Sequence, residues 1–390
     1  MQPVEKRVLA MTIIGHALCH IYVLILPSAL KTIAANLAIS LTALTSIGTV
    51  SYFLFGVGAF PAGLFAGRTN AKLTLKLFFL LSAVASVVTG ISKSLNLFAV
   101  GLGMLGLFGS LYHVSGLTLI SQCVAKKGRA MGIHGVAGSI GIMSAPLITS
   151  VIVELLGWRE VYFIMAIPGI LGFVFLMFDK TIPNAHVIPK TAAVSDKPNK
   201  SVWIMFSIAV IVMGLNGFVY RGFMTMLPTY IAEKVTIGNM SSVLTGGILS
   251  TIVLSIGIFG QYLGGHFSDR MSLFKLYGLA FLFSMPFMFF MGFTQNFLLI
   301  GAALVFSFFH FSVQPVENHM ISKLMPPRLV SSAYGVKFLF TFGVGSFAAG
   351  FAGYITDNYS IATLFPILGV IICISVLVVG ILVKLDREKE

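Results

Sequence analysis

Gly265-His266-Phe267-Ser268-Asp269-Arg270 stands between two long apolar runs, and Gly63-Leu64-Phe65-Ala66-Gly67-Arg68 stands between two others 202 residues earlier. A charged loop of one form, at one place in each half of the chain, marks an internal duplication. Duplicated helical halves in a membrane meet along an interface that can hold polar groups at mid-depth.

Working outward from these loops, the composition places the halves in lipid. Of 390 residues, 57% are hydrophobic and 9% are charged, where a soluble domain carries about 25% charged. Twelve apolar segments of roughly 20 residues follow, each long enough for a hydrocarbon core of about 30 Å. The pattern predicts spans 1–6 at 8–30, 43–66, 73–92, 96–121, 131–153 and 160–178. Spans 7–12 are predicted at 201–230, 243–266, 273–292, 297–321, 331–356 and 360–383. The polar stretch 179–200, holding Pro183, Pro189 and Pro198, divides a six-helix bundle at 1–178 from a second at 201–390. The fold class is therefore all-α, integral to the membrane, in two pseudo-symmetric halves. The first apolar run is of spanning length, so it reads as a helix and not as a cleavable signal.

The net charge of +13 would suggest nucleic acid in a soluble protein. Its distribution gives another reason. Nineteen of the 25 Lys and Arg fall on the side that carries the termini, four fall opposite, and Arg221 and Lys337 fall inside spans. That asymmetry predicts cytoplasmic termini in an inner or plasma membrane and removes the need for a nucleic-acid partner. Cys19, Cys123 and Cys373 lie scattered in apolar context with no CxxC, so they read as packing residues. No Gly-x-x-x-x-Gly-Lys, HExxH or Gly-x-Ser-x-Gly is present, so the chain is expected to be neither an ATPase nor an enzyme and to need no cofactor.

Ionisable groups at membrane depth are costly and therefore functional suspects. Of twelve Asp and Glu, only Glu317 falls within a span; histidines stand in for acids. His16 and His20 share a face of span 1, one turn apart. His113 in span 4 and His310 in span 10 are 197 residues apart, and Asn216 and Tyr220 in span 7 stand 200 after His16 and His20. His310, Gln314 and Glu317 form a stripe at i, i+4 and i+7. The expectation is a chamber lined by His16, His20, His113, Asn216, Tyr220, Arg221, His310 and Gln314. Imidazole loads and releases a proton near neutral pH, which makes His113, His310 and Glu317 the proton-coupling candidates. Arg221 can hold a carboxylate or phosphate through two parallel hydrogen bonds.

Plainer readings stand beside these. A buried neutral His can simply satisfy a carbonyl on the next helix. Arg221 can snorkel to the headgroups. Glu317 and Lys337 can form an interhelical ion pair. His134 reads as interfacial, and His186 and His266 as loop or loop-edge residues.

Over its whole length the chain resembles the major facilitator superfamily. Gly265 to Arg270 matches that family's Gly-x-x-x-Asp-Arg loop; the first copy keeps Gly63 and Arg68 but has Gly67 in the acidic position. The resemblance implies a gate latch formed by Gly63, Arg68, Gly265, Asp269 and Arg270, with Asp269 as its acidic member. It implies a cavity lined by spans 1, 4, 7 and 10, and a monomer. Gly138 to Pro146 resembles the Gly-x-x-x-Gly-Pro motif of antiporter branches, with Ala145 for the second Gly. His16 with His20, and Tyr112-His113, are similar to the fosmidomycin-resistance exporters. Those exporters' Asn-Asp pair and their Pro after the His are missing here, so carboxylate-based coupling does not carry over to the first half. The implied function is a secondary transporter of a small anionic or amphiphilic organic solute, working by alternating access and coupled to protons, with efflux as the exporter-like direction. The alternative is a transition-metal or metal-chelate transporter that uses His16 and His20, which have the i, i+4 spacing of a ligand pair.

Overall fold

A computed structural model describes residues 2–68, 70–184, 198–326 and 329–387. His186 and the centre of the 179–200 linker fall outside them, as does the Arg68 side chain. Twelve helices long and apolar enough to span a membrane occur where the sequence places them. Spans 1–6 are Pro3–Ser28, Leu41–Gly63, Ala71–Gly90, Leu95–Cys123, Arg129–Leu155 and Trp158–Phe178. Spans 7–12 are Lys200–Lys234, Ser242–Ser268, Leu273–Met291, Asn296–Leu324, Ser332–Asn358 and Ile361–Arg387. An even number of spans brings both chain ends to one face, called here the near face.

Three departures from regular spans matter. Span 4 is two helices, Leu95–Gly109 and Leu111–Cys123, broken at Ser110. The thiol of Cys19 donates to the Gly109 carbonyl at that break, 3.7 Å away. Span 11 passes through a π-helical stretch, Leu339–Val344, and such bulges cluster at functional places in helices. A short helix, Leu30–Leu37, follows span 1 on the far face.

Within lipid, helices associate through close packing of small residues. Gly138 of span 5 shows the consequence: a Cβ there would fall 2.4 Å from Cε1 of His16. Span 1 therefore seats its imidazole directly on the backbone of span 5. Gly247 of span 8 plays the same part between the halves, where a Cβ would meet Ser150 of span 5.

Polar ties between the halves gather toward the far face. The backbone N–H and hydroxyl of Thr42 both donate to Asp357 Oδ2 at 2.7 Å. Lys31 pairs with Glu233 at 3.0 Å, Ser241 donates to Glu154 at 2.8 Å, and the Gly350 N–H donates to Thr49 at 2.9 Å. Span 2 packs closely on the far part of span 11 and lightly on its near part.

At the near face, Asp179 fastens the first half together. It accepts from Arg7 at 2.5 Å and from the Thr181 and Ile182 N–H groups at 2.8 and 2.7 Å. Its own carbonyl accepts from Lys72 at 2.6 Å. Burial alone would raise the Asp179 pKa; the N–H donors and Arg7 outweigh it and hold the carboxyl below its usual range.

Candidate functional site

Four histidines of the first half meet where spans 1, 4 and 5 cross. The His16 and His20 rings lie 4.9 Å apart, and His16 to His113 is 5.3 Å edge-on. His134 stacks on His16 at 4.0 Å. His134 is buried and part of this cluster, which corrects the interfacial reading: span 5 packs on span 1 there. Its position beside Arg129 concealed this in the sequence.

The hydrogen bonds fix protons in the cluster. His16 Nδ1 lies 2.7 Å from the His134 carbonyl. A carbonyl can only accept, so Nδ1 carries the hydrogen and Nε2 offers a lone pair. The Tyr112 hydroxyl donates to the Thr12 carbonyl, so at 2.8 Å it must accept from His134 Nε2. His20 Nε2 lies 3.2 Å from His16 Nε2, which makes His20 the donor to the free His16 nitrogen. His113 Nε2 is buried with no hydrogen-bond partner among the described residues. His20 and His113 nevertheless keep some accessible surface.

Arg221 reaches across from the second half. Its guanidinium lies over the Tyr52 ring of span 2, 3.8 Å from the centroid. Such a contact with a buried aromatic ring replaces part of the lost hydration. Its side chain is 5% exposed, so it does not snorkel. Nη1 has no hydrogen-bond partner among the described residues. Arg221 also lies within electrostatic reach of His20. Tyr52 was not among the sequence candidates, because nothing in span 2 alone shows which face it turns toward span 7.

In the second half, His310 stacks between Phe306 at 4.7 Å and Tyr220 at 6.4 Å. Its Nδ1 has no hydrogen-bond partner among the described residues. Asn216 does not join these rings: its Nδ2 donates to Glu317 Oε1 at 2.9 Å. The Tyr277 hydroxyl donates to the same oxygen at 2.9 Å. Lys337 pairs with Oε2 at 2.9 Å and donates to Asn318 at 2.8 Å. Both members of this pair are buried, so the interhelical ion pair expected from sequence is present, on spans 10 and 11. Gln314 is exposed on span 10, and no hydrogen bond among the described residues ties it to either group.

Of the latch residues, Gly265 lies against Pro315. Asp269 faces His319 of span 10 at 3.7 Å, within its own half. His319, which also lies 3.1 Å from Ser268, was not among the candidates. Arg270 is exposed, and Gly63 has open space around it.

Two six-helix halves, closed over one face and bringing unpaired cationic and imidazole groups to their common seam, define a class of membrane protein built to hold a polar solute at mid-depth. The chain belongs to the Major Facilitator Superfamily, whose family model matches residues 12–350. A relative from Chlamydia muridarum (strain MoPn / Nigg), named "Probable hexose phosphate transport protein", is 23% identical over 376 residues, which is 84% of this chain and 78% of that one. A Chlamydia pneumoniae protein of the same name is 26% identical over 167 residues, covering 41% of this chain and 36% of the relative. The chain thus spans about a third of that relative's length. Among solved structures, a bacterial homolog to the human lysosomal transporter Spinster, inward-facing and occupied, superposes with a TM-score of 0.80. It covers 98% of both chains at 15% identity, a likeness of fold.

Proposed function

We propose that this protein is a secondary transporter of a small organic anion, held between its halves at Arg221. The observation that carries the reading is the state of that guanidinium. Arg is always charged; this one is buried at the seam, rests on Tyr52, and keeps a nitrogen with no hydrogen-bond partner among the described residues. Deep in the neighbouring spans, the carboxylate of Glu317 is already held by Lys337, Asn216 and Tyr277. A carboxylate or phosphate is the natural complement to the cation left over. The hexose phosphate relatives support the phosphate form.

The halves rock about this site. The far-face ties through Thr42, Lys31 and Ser241 open as the Gly63–Arg68 and Gly265–Arg270 loops close the near face. His113 and His310 each keep a nitrogen with no hydrogen-bond partner among the described residues and serve as proton-loading points, so solute movement follows the pH gradient. The near face, rich in Lys and Arg, is cytoplasmic, and the protein works as a monomer.

Transport into proteoliposomes of hexose phosphates, sugar acids and an amphiphilic drug, with and without an imposed pH gradient, tests this reading. Losing a bidentate charge-assisted contact is worth about 1.5–3 kcal/mol, or roughly 10–100-fold in affinity. Arg221→Met should lower apparent affinity for the transported anion by about that factor. Wild-type affinity in Arg221→Met, or transport of the drug alone, would refute the anion site. Rates unchanged on collapsing the pH gradient would refute proton coupling.

A further inference from the structure

The imidazole cluster holds more ligand capacity than an anion site requires. One ring nitrogen from each of His16, His20 and His113 lies within 4.8 Å of the other two. The nearest pair, the two Nε2 atoms of His16 and His20, is 3.2 Å apart. With metal–nitrogen bonds of about 2.0–2.1 Å, the edge of a tetrahedral zinc site is roughly 3.3 Å. One edge is therefore already at coordination distance, and the third nitrogen needs only a rotamer adjustment to reach the same centre.

The surroundings also match. The His16 Nδ1–H donates to the His134 carbonyl at 2.7 Å. A backbone carbonyl on the far nitrogen is what usually orients a metal-bound imidazole. The His134 ring stacked behind His16 and the Gly138 backbone beneath it hold that orientation. His113 Nε2 is buried with no hydrogen-bond partner among the described residues, a cost that a metal ion would remove.

We propose that His16, His20 and His113 form a binding site for a late first-row divalent metal ion, with Zn2+ as the type case and a fourth position open to the chamber. The donor set decides the class: three imidazoles without a carboxylate favour zinc and its neighbours over magnesium or calcium. His134 is not a fourth ligand through Nε2, which is committed to Tyr112. Cys19 is not one either, because its thiol points to the Gly109 carbonyl. When the ion binds, the His20 proton that bridges to His16 moves to His20 Nδ1, and both Nε2 lone pairs face the metal. Arg221 is the opposing charge in reach, so the fourth position suits an anionic oxygen or hydroxide lying between the two cations. The metal site stands on the imidazole geometry and holds whether or not an organic anion is the cargo.

The test is a Co2+ titration of the full-length protein, purified in detergent with an affinity tag that contains no histidine. The readout is the visible ligand-field absorption of tetrahedral Co2+, with Zn2+ as competitor. One ion per chain is expected, displaced by Zn2+. His20→Ala and His113→Ala should each weaken binding by at least about tenfold, the lower end of what even a supporting residue costs. His310→Ala should leave the spectrum and stoichiometry unchanged. The absence of saturable Co2+ and Zn2+ binding by the wild-type protein would overturn the proposal without recourse to any variant. Binding that survives His20→Ala would place the ion at another site and would also overturn it.

Discussion

Replacing Lys337 removes one of three donors that hold Glu317. Deleting one member of a buried ion pair costs about 3–5 kcal/mol, because the other charge stays behind in a poor solvent. In Lys337→Met the carboxylate keeps Asn216 and Tyr277, each at 2.9 Å, so the loss belongs at the low end, about 3 kcal/mol. Glu317→Ala removes the acceptor shared by three donors and leaves Lys337 with Asn318 alone; about 5 kcal/mol is expected. Lys337→Met combined with Glu317→Gln removes both charges and still offers an amide oxygen to Asn216 and Tyr277. That double variant should stand within about 1–2 kcal/mol of wild type. At roughly 2 °C per kcal/mol, the apparent Tm should fall by about 6 °C in Lys337→Met and about 10 °C in Glu317→Ala. Thermal unfolding in detergent, followed by the fluorescence of Trp158 and Trp203, gives the ranking. A Lys337→Met protein as stable as wild type, or a double variant less stable than both singles, would refute the reasoning.

Two further outcomes are expected. Gly138→Ala forces a Cβ to within 2.4 Å of the His16 ring and should cost about 1–3 kcal/mol through displaced packing, whereas Gly135→Ala, with open space around it, should leave Tm nearly unchanged; equal Tm values for the two variants would contradict the close approach. Asp179 has a folded pKa below its ordinary 3.8, so its stabilising effect is complete above that value and is lost as pH falls through the lowered one; the Tm gap between wild type and Arg7→Met should therefore be present at neutral pH and close under strong acid, and a gap that widens with acid would reverse the assignment.

The spans were legible because a hydrocarbon core demands one length of apolar helix, and the duplicated loops fixed how they pair into halves. What the sequence did not show was which faces meet. Tyr52 under Arg221 and His134 behind His16 depend on contacts between helices distant in the chain, and no periodicity within one helix reports its neighbour. Asn216 shows the same limit in reverse. Its place one helical face from Tyr220 suggested the chamber, yet its amide is taken by Glu317, itself visible in the sequence as the one acid within a span. The break at Ser110 and the π-helical stretch of span 11 were hidden because both lie inside unbroken apolar runs, where hydropathy carries no sign of backbone geometry. The loop residue Asp269 was found by its motif, while its partner His319 was not, since span 10 ends in ordinary polar residues.

The ties that close the far face are exposed ones, such as Lys31 to Glu233 and Thr42 to Asp357. Solvated pairs of this kind contribute about 0–1 kcal/mol each, while the buried bonds of Glu317 and of the imidazole cluster stay inside a single half. The molecule thus fastens its moving edge with weak, separable stitches and reserves its strong bonds for the panels on either side. Opening the seam can proceed one stitch at a time, and neither panel has to be rebuilt when the door swings.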